Sequence, residues 1–151
     1  FGFVPYNIDA FSSRSLILIA DKCPQLTHIG IGDLWNLSDS SITKLVESCP
    51  KLKHANFRDT NFNDTALAMM SKNCPDLEYL NIIACSLIRE EALERFANPA
   101  TTANLKKLCI SKYSSYYSPQ LVDRLKINLP NVEIVTKERT RPAGGRDIKI
   151  F

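Results

Sequence analysis

The sequence lacks the features of several large classes of protein. Glycine (5 residues) and proline (8 residues) are too scarce for a collagen-like or disordered chain of 151 residues. No apolar run approaches the length that spans a bilayer, because the longest, residues 16–20, is followed by Asp21 and Lys22. The net charge of +3 is too small to indicate a nucleic-acid partner by itself. We therefore expect a globular protein that spans no membrane and binds no nucleic acid.

Motifs of the common catalytic sites are also missing. The sequence contains no glycine-rich phosphate loop, no nucleophile elbow and no His-Glu-x-x-His pair. Its carboxylates are spread over predicted helix surfaces. We therefore expect a protein that is not an enzyme and that holds neither a cofactor nor a metal ion.

The chain does not begin with methionine, and no signal peptide is recognisable at its start. Residues 1–4 resemble the middle of a structural element, which suggests a fragment of a longer protein. Five cysteines, an odd number, argue against a disulfide framework. We expect a reducing compartment, either the cytoplasm or the nucleus.

A Cys-Pro pair recurs along the chain. Cys23-Pro24, Cys49-Pro50 and Cys74-Pro75 lie 26 and 25 residues apart. The three copies share apolar residues at fixed offsets after the cysteine, namely Leu26, Leu52 and Leu77, and then Ile31, Phe57 and Ile82. A degraded fourth copy starts at Asn98-Pro99 and a fifth at Leu129-Pro130. Repetition at this period is typical of proteins built from stacked structural repeats.

Each copy predicts one short strand followed by one helix. Apolar alternation, as in Leu80 and Ile82, indicates the strands, and apolar residues at helical spacing, as in Ile42 and Leu45, indicate the helices. The helices are predicted near 13–22, 39–48, 64–73, 90–97 and 119–128. The strands are predicted near 28–32, 54–58, 79–83, 107–111 and 132–135.

Polar residues before the helices are predicted to cap them. The candidates are Ser38 or Asp39, Asn63 or Asp64, and Ser118 before Pro119. Proline after the cysteine disfavours helical geometry at the cysteine and so ends the helices of the first copies.

Residues 23–31 (CPQLTHIGI) and 37–50 (LSDSSITKLVESCP) resemble the cysteine-containing leucine-rich repeat. The resemblance covers roughly residues 11–135. It implies an α/β fold, a leucine-rich-repeat solenoid of about five repeats. Such a solenoid is a curved arc with parallel strands on its concave face and helices on its convex face. We accordingly divide the chain into a solenoid of residues 1–136 and a basic C-terminal extension of residues 137–151.

Repeats of this type are typical of F-box leucine-rich-repeat proteins. In that family the solenoid holds the substrate of an SCF ubiquitin ligase, and a separate F-box binds the ligase adaptor. The resemblance implies a protein–protein interaction module of this kind. No F-box-like segment precedes residue 11, so an adaptor would bind only through an F-box upstream of this sequence. The alternative is a non-ligase scaffold or assembly subunit of a large complex.

The candidate partner-binding residues alternate with core residues on the predicted concave face. Neighbouring strands lie about 4.8 Å apart, so equivalent residues form columns across the sheet. One predicted column runs His28, His54, Tyr79, Lys107, and a second runs Gly30, Asn56, Asn81, Cys109. Arg58 follows Asn56 on the same face. This face either contacts a protein partner or is simply solvated.

Aromatic residues in the loops after the strands are further candidates. Trp35 is either an exposed anchor or a cover for the edge of the core. Tyr116 and Tyr117 either form an adaptable contact surface or belong to the longer loop of a degraded repeat.

The sequence also allows predictions for a histidine pair, for the Cys-Pro cysteines and for the end of the chain. His28 and His54 fall in register, but no third ligand completes a metal site. Cys23, Cys49 and Cys74 predict a ladder of buried thiols in the core. Residues 147–151 alternate, and are expected to pair with an edge strand or to pack on the last repeat.

Overall fold

Strands and helices alternate along the chain. The computed structural model describes residues 11–112, 114, 116–138 and 148–151, so the predicted first unit before Phe11 lies outside the described residues. The helices are α1 (Ser13–Lys22), α2 (Asp39–Ser48), α3 (Asp64–Asn73), α4 (Glu90–Phe96) and α5 (Leu121–Asn128). The strands are β1 (His28–Ile31), β2 (His54–Asn56), β3 (Tyr79–Asn81), β4 (Lys107–Ser111), β5 (Glu133–Lys137) and β6 (Ile148–Ile150).

The six strands form one sheet in the order β5-β4-β3-β2-β1-β6. Strands β1 to β5 are parallel, and β6 runs antiparallel to β1. Each helix packs beside the next one along the chain. The predicted α/β class is confirmed, with a parallel sheet that carries one additional antiparallel strand.

The helix bounds follow the local sequence signals. Helices α1, α2 and α3 have the predicted bounds, and α4 ends one residue earlier than predicted. The Ser38 hydroxyl accepts the amide of Ser41 at 3.2 Å, and Asn63 Oδ1 accepts the amide of Ala66 at 3.0 Å. These two residues, and not the aspartates after them, are the caps. No helix in the described ranges is long and apolar enough to cross a membrane.

Helix α5 begins later than the sequence predicts. The expected cap at Ser118 is wrong, because the helix starts at Leu121 with Gln120 as its N-cap residue. The Ser118 hydroxyl donates to Glu90 Oε1 of α4 at 2.8 Å, and its amide also donates to that carboxylate. The side chain of Ser118 is therefore bonded to the preceding unit and does not cap its own helix.

A continuous apolar core runs through all units. Aligned strand positions supply part of it, as the register pairs Ile29, Ala55, Leu80, Leu108 and Ile134 in order. The first four of these are buried. The rings of Phe57 and Phe62 stack with centroids 4.7 Å apart, so one large aromatic pair lies beside the small Ala55.

The cysteines link successive units through their thiols. Cys49 Sγ lies 3.5 Å from the carbonyl oxygen of Cys23, and Cys74 Sγ lies 3.7 Å from that of Cys49. The predicted ladder of buried thiols is confirmed for Cys49 and Cys74, but it is wrong for Cys23, which is exposed. Each thiol packs on the unit before it, and Cys23 belongs to the first unit that the structure describes.

A left-handed residue follows each of the first three strands. Asp33, Asp59 and Ala84 have φ values of 63°, 51° and 62°. The amide of each donates to the next unit, to the carbonyls of Arg58 (2.7 Å) and Ile83 (2.8 Å) and to the Ser111 hydroxyl (2.8 Å). At each of these turns, where the chain leaves the sheet, a hydrogen bond therefore joins the turn to the next unit.

Strands β2 and β3 are shorter than predicted because an asparagine side chain replaces a ladder bond. Asn56 Oδ1 accepts the amide of Arg58 at 3.2 Å, and Asn81 Oδ1 accepts that of Ile83 at 3.1 Å. Each asparagine is the last residue of its strand. The backbone amide two residues after each asparagine therefore has its hydrogen-bond acceptor within its own unit and not on the neighbouring strand.

Candidate functional site

The first predicted column is present on the sheet face. The register places His28 beside His54, His54 beside Tyr79, and Tyr79 beside Lys107. The rings of His28 and His54 stack with centroids 4.5 Å apart, and those of His54 and Tyr79 stack at 5.9 Å. Parallel strands in register thus turn one residue position of the repeat into a continuous aromatic surface.

A further side chain contacts each end of this column. The ring of Phe151 meets His28 edge-on with centroids 6.3 Å apart. At the other end Lys107 Nζ donates to Glu133 Oε1 at 3.0 Å. We call Phe151, His28, His54 and Tyr79 the aromatic column.

Burial and neighbouring charge shift the pKa values of two members. Desolvation and the adjacent His28 lower the pKa of His54, as do Lys106 and Lys53, whereas Glu78 acts in the opposite direction. Burial raises the pKa of Tyr79 to about 12, with a further contribution from Cys109. Both shifts favour the uncharged form, so near neutral pH the aromatic column presents a neutral His54 ring and a protonated Tyr79 phenol.

The second predicted column offers less surface than the first. Asn56 and Asn81 lie side by side as predicted, but their side-chain oxygens are bonded to backbone amides. Cys109, the fourth position of this column, is buried. Arg58 forms an ion pair with Asp33, with Nε 3.9 Å from Oδ1. The partner-contacting potential of this face therefore lies mainly in the aromatic column.

The loop aromatics are exposed to different degrees. Trp35 is 67% exposed and Tyr116 is 55% exposed, whereas Tyr117 is half-buried against the core. Burial also raises the pKa of the Tyr117 phenol. Trp35 follows β1 and Tyr116 follows β4, three strands or about 14 Å away, so the loop candidates do not form one cluster.

A shallow depression lies over the β1 and β2 end of the face. Its lining includes His28, His54, Tyr79, Lys149 and Phe151. Residues 147–151 were predicted either to pair with an edge strand or to pack on the last repeat, and the first alternative is confirmed for β6, which pairs with β1. The predicted C-terminal extension thus contributes two side chains to the same surface as the predicted binding residues.

This surface presents aromatic rings, hydrogen-bonding groups and an ion pair. Among the described residues, no three His, Cys, Asp or Glu side chains are arranged to hold a metal ion. The stacked imidazoles, the phenol and the Lys107–Glu133 pair provide flat π surfaces, hydrogen-bonding groups and one charged edge. Of these groups, tyrosine is among the residue types that are enriched in protein interfaces.

The chain is similar to an F-box protein. It shares 30% identity over 80 residues with the F-box protein SKIP1 of Arabidopsis thaliana. The matched stretch covers 52% of this chain and 27% of SKIP1, so this chain spans about a quarter of the relative's length. No family model matches the sequence.

Proposed function

We propose that this chain is a protein-binding module, the substrate-recognition part of an SCF-type F-box ubiquitin ligase subunit. We further propose that its βα units form a leucine-rich-repeat solenoid of the cysteine-containing type. The similarity to SKIP1 supports a relation to F-box proteins. The Cys-Pro repeat and the regular parallel sheet support the solenoid.

The aromatic column is the observation that carries the binding proposal. It places two stacked imidazoles and a phenol in one line across three strands. Aromatic residues dominate the energetics of protein interfaces because they bury a large area with few rotatable bonds. A column of such residues suits an extended or helical segment that lies across the strands.

The module's contribution to a ligase would be to hold a substrate, with no catalytic step of its own. An adaptor would bind through an F-box upstream of this sequence, and the sheet face would contact the protein to be modified. We place the protein in the cytoplasm or the nucleus, where SCF ligases act and where free thiols persist.

The test is affinity purification of the full-length gene product, with co-purifying proteins identified by mass spectrometry. The proposal predicts recovery of a cullin and its adaptor, together with substrate proteins. In the variant His54→Ala/Tyr79→Ala we expect substrate recovery to fall at least tenfold, while adaptor recovery is unchanged. The matched control is Glu47→Ala on the exposed surface of α2, which should retain both.

The alternative function, a scaffold subunit, predicts a different set of partners. A fixed group of proteins at equal stoichiometry, with neither cullin nor adaptor, would exclude the ligase role. Loss of that group in His54→Ala/Tyr79→Ala would still establish the aromatic column as the binding surface.

A further inference from the structure

A carbonyl that accepts two successive amides recurs where strands β2, β3 and β4 begin. The carbonyl of Thr27 accepts the amides of Lys53 (2.8 Å) and His54 (3.0 Å). In the next unit the carbonyl of Lys53 accepts the amides of Glu78 (2.8 Å) and Tyr79 (3.0 Å). The carbonyl of Glu78 likewise accepts those of Lys106 and Lys107. At the start of β2, β3 and β4 one carbonyl of the preceding unit therefore binds two successive amides. At β5 the carbonyl of Lys106 accepts the amide of Glu133, whereas the amide of Val132 donates to Leu129.

At the start of the series the C-terminal residue supplies this carbonyl. The oxygen of Phe151 accepts the amides of Thr27 at 3.2 Å and His28 at 3.0 Å. The amide of Phe151 donates back to the carbonyl of His28 at 3.0 Å. At β1 a strand of opposite direction therefore takes the place that a preceding parallel strand has at β2, β3 and β4.

Side chains as well as the backbone hold this terminal segment. Ile148 and Ile150 are partly buried against the core, and Phe151 meets the His28 ring edge-on. Lys149 lies over Gly30, where a Cβ atom would be 3.4 Å from Lys149 Cβ. The edge of β1 thus accepts an extended segment with two apolar residues two positions apart and an aromatic residue after them.

The segment that pairs with β1 is short, and its last residue is exposed. Its strand has three residues, and Phe151 remains 71% exposed. A segment tethered to its own site acts at an effective concentration on the order of millimolar, which a partner of higher affinity overcomes.

We propose that the edge of β1 is a docking site for an extended segment of a partner protein, and that residues 148–151 occupy it in cis as a built-in competitor. The partner segment pairs antiparallel with β1 through main-chain hydrogen bonds, inserts two apolar side chains, and places an aromatic ring against His28. Addition of a strand to a sheet edge is an established mode of peptide recognition. This inference is independent of any role in a ubiquitin ligase.

The first part of the test asks whether β6 is docked in solution. In the full chain with Ile148→Asp/Ile150→Asp, amide hydrogen exchange at Thr27 and His28 should accelerate at least tenfold. The equivalent amides of Lys53 and His54 serve as an internal control and should not change. The matched protein control is Ile127→Asp, which places the same charge at an exposed position on α5. Unchanged exchange at Thr27 and His28 would overturn the proposal.

The second part asks whether the vacated edge binds a segment in trans. A fluorescent peptide with the sequence of residues 147–151 should bind the Ile148→Asp/Ile150→Asp protein at least tenfold more tightly than wild type, and should restore protection at Thr27 and His28. A peptide with both isoleucines replaced by aspartate is the control. Equal binding by the two proteins, or none by the released protein at 2 mM peptide (about the effective concentration of the tether), would refute the docking site. Phe151→Ala provides a milder release if the double variant does not fold.

Discussion

The imidazole rings of His28 and His54 lie within 7° of parallel, with their centroids 4.5 Å apart. They belong to adjacent strands at the same register position, so the backbone holds them together. Protonation of both rings would bring two like charges into contact on the sheet face. The parallel stack of the two rings is therefore disfavoured when both rings are protonated.

The first prediction concerns the pKa of His54. It should titrate below the ordinary value of 6.5, because desolvation and His28 both disfavour its charged form. In His28→Gln the pKa should rise part of the way back, since the charge effect is removed and the desolvation remains. The measurement is an NMR titration of the His54 ring protons. An unchanged pKa in His28→Gln would show that the two rings are not coupled.

The lowered pKa of His54 also determines how the stability of the fold changes with pH. The unfolded chain, with the higher pKa, binds more protons than the folded chain, so stability rises with pH between the lowered value and about 6.5. Below this window the destabilisation by His54 is complete, and above it the destabilisation is absent. The slope of thermal stability against pH within the window should be shallower in His54→Gln than in wild type.

The second prediction concerns thiol reactivity. Cys23 is exposed, whereas burial raises the pKa of Cys49 from 9.0 to about 11 and those of Cys74 and Cys85 to about 12. At pH 8 the shift at Cys49 alone lowers its thiolate fraction about a hundredfold. Mass spectrometry after brief alkylation of the native protein should find the label at Cys23. Cys23→Ser should remain unlabelled, and rapid labelling of Cys74 or Cys85 would contradict the structure.

The third prediction concerns the left-handed turn at Ala84. Residues with a Cβ lose about 1–2 kcal/mol in this conformation, whereas glycine adopts it freely but with a larger entropy loss on folding. Ala84→Gly should therefore stabilise the protein by about 0.5–1 kcal/mol in urea unfolding. The control Ala68→Gly, at an exposed position within α3, should destabilise it by about 1 kcal/mol. Destabilisation by both changes would mean that Ala84 is not strained.

The fourth prediction concerns Glu90, which is 14% exposed and joins α4 to the unit of α5. It accepts hydrogen bonds from the amide and hydroxyl of Ser118 and from Arg124. Glu90→Ala should cost about 1–2 kcal/mol, because the amide and hydroxyl of Ser118 lose their acceptor, whereas Arg124 keeps its ion pair with Glu94. The exposed neighbour Glu91, changed to Ala, should alter stability by less than about 0.5 kcal/mol.

A double-mutant cycle measures how strongly Glu90 and Arg124 interact. If the ion pair stabilises the fold, Glu90→Gln/Arg124→Met should lose less stability than the sum of the losses in Glu90→Gln and Arg124→Met. Additive losses in the two single variants would indicate that the pair is not coupled.

Repetition made much of the fold predictable. The Cys-Pro spacing fixes the register between units, and the register fixes which side chains share a column. The position of His28 beside His54 was therefore predictable from the sequence, as were the starts of α2 and α3 at polar caps. Signals within a single repeat were enough to predict these features, because each unit repeats the contacts of the previous one.

Contacts that break the repetition could not be predicted in the same way. Ser118 carries the local signal of a helix cap, but Glu90 of another unit competes for its hydroxyl. The alternation of residues 148–150 indicated a strand, but the edge it would join depends on contacts more than a hundred residues away. Cys23 matches the other Cys-Pro cysteines in sequence, yet its exposure depends on what precedes its unit.

The position of β6 also affects how the molecule behaves at high concentration. An unpaired strand at the margin of a sheet is a template on which other chains aggregate. By pairing with β1, and by placing the charged Lys149 in the middle of that short strand, the chain blocks this margin with its own residues. Conditions that release the terminal segment would thus be expected to promote self-association as well as to expose a docking site.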